Sequence, residues 1–172
     1  AYGADSHGAS WSRDGRLVTS SWDGQLRLYR APTGSTPGSL TRLAEVAAPG
    51  GKQPYAVAFS PDGSQVAVGY VDSTHVDVLD STRLQTHFSA DTQGVANGDL
   101  SKVAWSSDGR TLAAAGSWGF NGKRQVRLWS DAGRGQPRDV PTVGNTVMHL
   151  ASLPQGGWLL GAAGPAWGVL GA

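Results

Sequence analysis

The stretch Ala56-Val57-Ala58-Phe59-Ser60-Pro61-Asp62-Gly63, continued by Gln65-Val66-Ala67-Val68-Gly69, decides the fold. Val57 and Phe59 alternate with small residues, the period of two that a pleated strand requires. Pro61 presets the φ of a first central turn position, and Gly63 suits the tight end of the turn. The stretch therefore reads strand, turn, strand. It also recurs. Ala9-Ser10-Trp11-Ser12-Arg13-Asp14-Gly15 and Val103-Ala104-Trp105-Ser106-Ser107-Asp108-Gly109 are further copies, and Leu150-Ala151-Ser152-Leu153-Pro154-Gln155-Gly156 is a worn fourth.

Outward from these turns, the glycines at 15, 63, 109 and 156 lie 46 to 48 residues apart. That period sits just above the range of four-stranded propeller blades. It divides the chain into units at about 6–48, 54–94, 100–144 and 145–172. In the first, strands are expected over His7–Ser12, Leu17–Trp22, Leu26–Arg30 and Leu40–Ala47, with Asp23-Gly24 as a two-residue hairpin turn. The Pro-, Gly-, Ser- and Thr-rich residues from Ala31 to Ser39 read as a loop, and Ala1 to Asp5 carry no signal. The second unit repeats the order. The third has an enlarged hairpin from Ser117 to Arg124, and a weak fourth strand because Pro137 and Pro141 cannot donate to a ladder. The fourth unit has three strands. No sustained helical period competes, so the expected class is all-β.

Composition narrows the function classes. There are no cysteines, which removes disulfides and thiolate metal sites. Fourteen basic residues against thirteen acidic ones give a net charge of +1, which argues against a broad nucleic-acid or membrane-surface footprint. No run of eighteen apolar residues is present, so no transmembrane helix is expected, and the working expectation is a cytoplasmic protein. The 25 glycines and seven tryptophans fit many turns and many aromatic packing units.

The repeated Ser-x-Asp-Gly turn, followed by a strand, a turn with Asp and a strand ending in Leu-Trp, resembles the WD40 repeat. Val126-Arg127-Leu128-Trp129-Ser130-Asp131 is the best single copy. The resemblance covers nearly the whole chain. It implies β-propeller blades of four-stranded antiparallel sheets, and a larger ring, since rings of this family usually hold about seven blades and propellers in general about four to eight. Two departures stand out. The family's Gly-His dipeptide before each blade is missing throughout. Its turn aspartate is matched by Asp23 and Asp72 in the first two units and by nothing in the third and fourth. The buried hydrogen-bond tetrad of the family is thus incomplete here.

The sequence holds no recognisable catalytic constellation. The Gly116–Arg124 loop is no Walker loop, because Ser117 stands where its first glycine belongs and Arg124 follows Lys123. His7, His75, His87 and His149 show no metal-ligand spacing. No Gly-x-Ser-x-Gly elbow is present, and Asp77 and Asp80 read as solvated positions or turn caps. Trp11 and Trp105 align with Phe59 as core, and Trp129 aligns with Leu79 and Tyr29 between blades. The expected function is a non-enzymatic interaction scaffold without cofactor or metal. Its partner is a protein or the remainder of the same propeller, and a homo-oligomer is possible. In the resembled family the loops between second and third strands lie on the face most used for partners. Here those loops hold Trp22, Asp23, Asp72, Ser73, Trp118, Phe120, Lys123 and Arg124, with Gly164 and Pro165 in the fourth unit. Two alternatives stand beside this: a sensor domain of a larger bacterial signalling or defence protein, and a small-ligand or enzymatic propeller. The last would need acids, histidines or metal ligands converging on the axis from several blades, and no such set is visible in the sequence. Residues 1–172 are expected to belong with more polypeptide or a second copy, because a fourth unit of three strands leaves an open edge.

Overall fold

The computed structural model describes residues 2–32 and 39–171. Each unit is an antiparallel meander with its strands in chain order. Blade one is β1 (Ser6–Trp11), β2 (Arg16–Ser21), β3 (Gln25–Arg30) and β4 (Thr41–Ala47). Blade two is β5 (Pro54–Phe59), β6 (Gln65–Tyr70), β7 (Val76–Asp80) and β8 (Thr86–Ser89). Blade three is β9 (Lys102–Trp105), β10 (Leu112–Phe120), β11 (Lys123–Trp129) and β12 (Pro137–Pro141). Blade four has three strands, β13 (Val147–Ser152), β14 (Trp158–Ala162) and β15 (Trp167–Leu170). Together they form a four-blade propeller arrangement. The inner strands β1, β5, β9 and β13 pack in series and line one axial cavity. The loop expected over residues 31–39 falls mostly on residues 33–38, outside the described residues.

The recurring turn is built by its serine and aspartate. Ser60 Oγ donates to Asp62 at 2.6 Å and accepts the Gln65 N–H at 3.0 Å, while the Gly63 N–H reaches the Ser60 carbonyl at 2.8 Å. Gly63 sits at φ +75°, a region closed to most side chains. Ser106 and Asp108 repeat the pattern at 2.6 Å, with the Thr111 N–H on Ser106 Oγ at 2.9 Å. Ser12 and Asp14 do the same, with the Arg16 N–H on Ser12 Oγ at 2.9 Å. The motif is therefore a self-contained hydrogen-bonded corner that any blade can reuse.

Three apolar cores lie between successive blades. Val18, Leu26 and Leu28 of blade one meet Phe59, Val66 and Tyr70 of blade two. Val76 and Val78 meet Trp105, Leu112 and Trp129 across the second junction. Ala113, Val126 and Leu128 meet Leu150, Trp158 and Leu160 across the third. Polar bridges join the first two of these junctions. Trp105 Nε1 donates to the Ala58 carbonyl at 3.1 Å, and the Phe59 N–H to Ser10 Oγ at 3.1 Å. Gly8 lets the inner strands approach closely, since a Cβ there would run into the Tyr55 carbonyl.

Several expectations are corrected. Trp11 matches Phe59 and Trp105 in register but is 56% exposed, because among the described residues no apolar cluster covers its side of blade one. The Asp23-Gly24 turn holds three residues, Trp22 to Gly24. Asp23 keeps negative φ and only Gly24 is left-handed, at φ +79°, which is a type I turn closed by a bulge. Residues 2–5 are not silent: Tyr2 lies over the Arg27 guanidinium at 4.5 Å and bonds Thr19 Oγ1 at 2.8 Å. Asp77 is buried rather than solvated, accepting from Tyr70 Oη at 2.7 Å and Ser89 Oγ at 2.6 Å. Asp80 is the turn cap expected, accepting the N–H groups of Thr82, Arg83 and Gln85. Ser130–Gly133 forms an isolated turn in which Asp131 and Ala132 are left-handed. No helix among the described residues is long and apolar enough to cross a membrane.

Candidate interaction rim and axial cavity

The meander puts the hairpin between the second and third strand of every blade on one rim. In blades one and two the aspartate of that hairpin clasps the strand entering the same blade. Asp23 accepts the Gly3 N–H at 2.9 Å and the Gln25 N–H at 3.0 Å, and pairs with Arg27 at 2.6 Å. The Arg27 guanidinium holds the Asp23 carboxyl well below the usual carboxylate range, against an opposing push from burial. Asp72 accepts the Lys52 and Gln53 N–H groups at 2.8 and 3.1 Å, and Ser73 Oγ donates to the Gly50 carbonyl at 2.7 Å. In blade three the clasp is inverted. Ser117 supplies the hairpin oxygen, accepting the Asp99 N–H at 3.0 Å, and donates its hydroxyl to the Asp99 carboxylate. Asp72 and Ser73 thus spend their polar atoms on the rim's own backbone, and Asp23 spends its carboxylate on backbone N–H groups and the Arg27 guanidinium.

The blade-three hairpin differs from its neighbours. β10 and β11 run on past a register shift between Ala115 and Gly119 and close on Asn121-Gly122, both left-handed. That is a two-residue turn of the type matched to strand twist. Trp118 and Phe120 separate sharply. Trp118 is 5% exposed, belongs to the core between blades two and three, and has the Arg127 guanidinium 4.9 Å over its ring. Its expected place in an exposed loop is corrected by this packing. Phe120 is 67% exposed. Lys123 is exposed beside it, and Arg124 is half-buried, donating to the Ser117 carbonyl. Next to them opens a cavity of about 330 Å³ lined by Ala96, Asn97, Trp118, Phe120, Gln125 and Asp139 among others. Asp139 is held by a bidentate pair with Arg127 at 2.7 and 2.8 Å. On blade one Trp22 is half-covered, its ring 4.0 Å from that of His7. Gly164 and Pro165 lie in the β14–β15 turn.

The axis carries a convergence that strand alternation in the sequence does not show. A cavity of about 360 Å³ is lined by His7, Tyr55, Lys102 and His149, one from each inner strand. Three of the four inner strands shift register at their start, in β1 between Ser6 and Gly8, in β5 between Pro54 and Val57, and in β13 between Val147 and His149. Each shift frees one extra residue, and bulges of this kind re-aim a side chain. His7, Tyr55 and Met148 fall within these shifts and line the cavity. β9 pairs without a shift and presents Lys102 instead. Lys102 is only 8% exposed, and burial lowers its ammonium's pKa, with Asp99 opposing. Among the described residues no group of three or more His, Cys, Asp and Glu is placed to hold a metal. The signal available in the sequence was the position just before each inner strand's alternation begins. It is visible only when the four copies are aligned with their bulges.

Tandem meanders joined through three apolar junctions, with hairpins gathered on one rim, define a repeat protein of the propeller class. The family model described as WD domain, G-beta repeat, matches residues 6–30, 46–75 and 83–130, more than half of the chain, and the chain belongs to the WD40 family. No curated protein matches it.

Proposed function

We infer that the chain is a non-catalytic protein-interaction scaffold whose rim of second-to-third-strand hairpins meets the partner. The carrying observation is the blade-three hairpin. It holds Phe120 two-thirds exposed at the end of an extended two-stranded arm, beside exposed Lys123 and an adjoining cavity. Exposed aromatics on rigid elements are the anchors that interfaces use, and members of this family commonly mediate protein contacts. Trp22 on blade one is the second anchor. Asp23, Asp72, Ser73 and Arg124 position the rim, and Trp118 supports the arm from beneath. The test is quantitative affinity capture with the wild-type chain and with Phe120→Ala plus Lys123→Glu. The reading predicts proteins retained by the wild type and lost from the variant at equal folded concentration. Identical capture by both would remove the blade-three arm as the contact surface.

A further inference from the structure

Side chains from three blades meet at the axis around an ammonium that no carboxylate of the described residues contacts as an ion pair. Lys102 Nζ lies 3.8 Å from the centroid of the Tyr55 ring and donates to Ser101 Oγ at 3.1 Å. Among the described residues no carboxylate forms an ion pair with it. Asp99 acts on it only from a distance, and its carboxylate already takes the Ser101 N–H at 3.0 Å and the Ser117 hydroxyl. The His7 ring stacks on the Tyr55 ring at 5.0 Å and meets the Trp22 ring in a tilted contact at 4.0 Å, and among the described residues its buried Nε2 has no hydrogen-bond partner. A buried ammonium with so little compensation and an orphaned ring nitrogen are both costly to leave unsatisfied.

We propose that the axial cavity binds a carboxylate, with the Lys102 ammonium as its charge partner and the His7 imidazole as a second polar contact. The charge count favours this anion. Among the described residues Lys102 is the one lysine or arginine in the lining, and no aspartate or glutamate lines it. One positive charge matches the single charge of a carboxylate and leaves a phosphate dianion half neutralised. The Tyr55 ring, Met148 and Leu150 supply apolar wall for the carbon body of the acid. A bound carboxylate would also offset the burial that lowers the Lys102 pKa. The carboxylate could come from a free organic acid or from an acidic side chain that a partner inserts at the axial mouth. This site is separate from the Phe120 arm, so either reading can fail alone.

The experiment is a calorimetric and NMR titration of the full chain with sodium butyrate, with the blocked peptide N-acetyl-Gly-Glu-Gly-amide and with sodium phosphate. Saturable binding of butyrate or of the peptide is expected, with movement of the His7 ring signals and weaker binding of phosphate. Binding of butyrate alone identifies a free acid as the source, and binding of the peptide alone identifies a partner side chain. Lys102→Met, which keeps the apolar stem, should weaken binding by about tenfold or more without lowering the melting temperature. His7→Phe, which keeps the stack, should weaken it less, and Arg13→Met, at an exposed turn position away from the cavity, should leave it unchanged. The proposal is overturned by the absence of saturable carboxylate binding, by phosphate binding more tightly, or by a folded Lys102→Met that binds like the wild type. Should Lys102→Met fail to fold, unmoved His7 signals in the wild-type titration overturn it equally.

Discussion

Trp118 and Phe120 stand two residues apart and have opposite surroundings. Trp118 fills the junction between blades two and three under the Arg127 guanidinium, whereas Phe120 faces solvent. Trp118→Ala is therefore expected to cost about 3–5 kcal/mol, the usual range for a large buried aromatic. Phe120→Ala should stay within about 0.5 kcal/mol and act on partner capture instead. Urea denaturation of the two single variants separates them, and equal midpoints would contradict the packing described. A second expectation concerns acid. The Arg16 guanidinium, then the Ser12 hydroxyl, hold the Asp14 carboxyl at about 2. Burial pushes Asp80 up, but the Thr82 hydroxyl and three backbone N–H donors outweigh it and bring that carboxyl also to about 2. Both folded values lie below the ordinary 3.8, so the unfolded chain binds the protons more readily. The stability they contribute is complete above pH 4 or so and is lost as pH falls from there towards 2. Urea midpoints measured from pH 6 to pH 2 should be flat at first and then drop, and Asp80→Asn should make the drop shallower. A midpoint that rises on acidification would reverse the sign argued here.

At the scale of the element, what the sequence disclosed was the corner, and what it concealed was the bulge. Ser60, Asp62 and Gly63 form a turn from bonds among themselves, so three letters at fixed offsets carry the geometry wherever they recur. Strand alternation placed Phe59, Trp105 and Trp129 in the cores for the same local reason. The shifts that bring His7, Tyr55 and Met148 to the axis depend on which residue of the second strand each pairs with. That is a non-local relation, and the single sequence does not state it. The rim clasps lie between these cases. Asp23 and Asp72 were matched to the family's turn aspartate from sequence, but their partners are backbone N–H groups about twenty residues upstream rather than a histidine. Blade three reaches the same end with Ser117 and Asp99, a swap that no aspartate count reveals. The clasp predicts that Asp72→Ala costs about 1 kcal/mol, because two partly solvated donors lose their acceptor. Amide hydrogen exchange should quicken at Lys52 and Gln53 and stay unchanged at Gly63. Unaltered exchange at Lys52 would show that the clasp contributes nothing to order at the entry of β5.

For the molecule as a whole, the outer faces of blades one and four set its behaviour in solution. Each junction inside the chain presses one blade's forward face onto the next blade's rear face, and three such cores are present. Between blade four and blade one no buried apolar cluster forms among the described residues. The forward face of blade four instead leaves Trp167 77% and Val169 58% exposed, and the rear face of blade one leaves Trp11 56% exposed. These side chains occupy register positions that are buried in the inner blades: Trp11 pairs with Leu17 as Phe59 pairs with Val66. Tyr2 shields part of the blade-one face, where Tyr29 Oη donates to it at 3.2 Å; burial, then this contact, push the Tyr29 hydroxyl up to about 12. Blade four has no comparable cover among the described residues. Exposed apolar patches of this kind drive association, and the complementary surface for a forward face is a rear face. The wild-type chain is therefore expected to associate head to tail, with sedimentation coefficients that rise with concentration. Trp167→Ser plus Val169→Thr should abolish that rise while leaving the urea midpoint within about 0.5 kcal/mol of the wild type, as fits substitutions at exposed positions. A wild type that sediments as one compact species at all concentrations would show that the two outer faces are satisfied within a single chain.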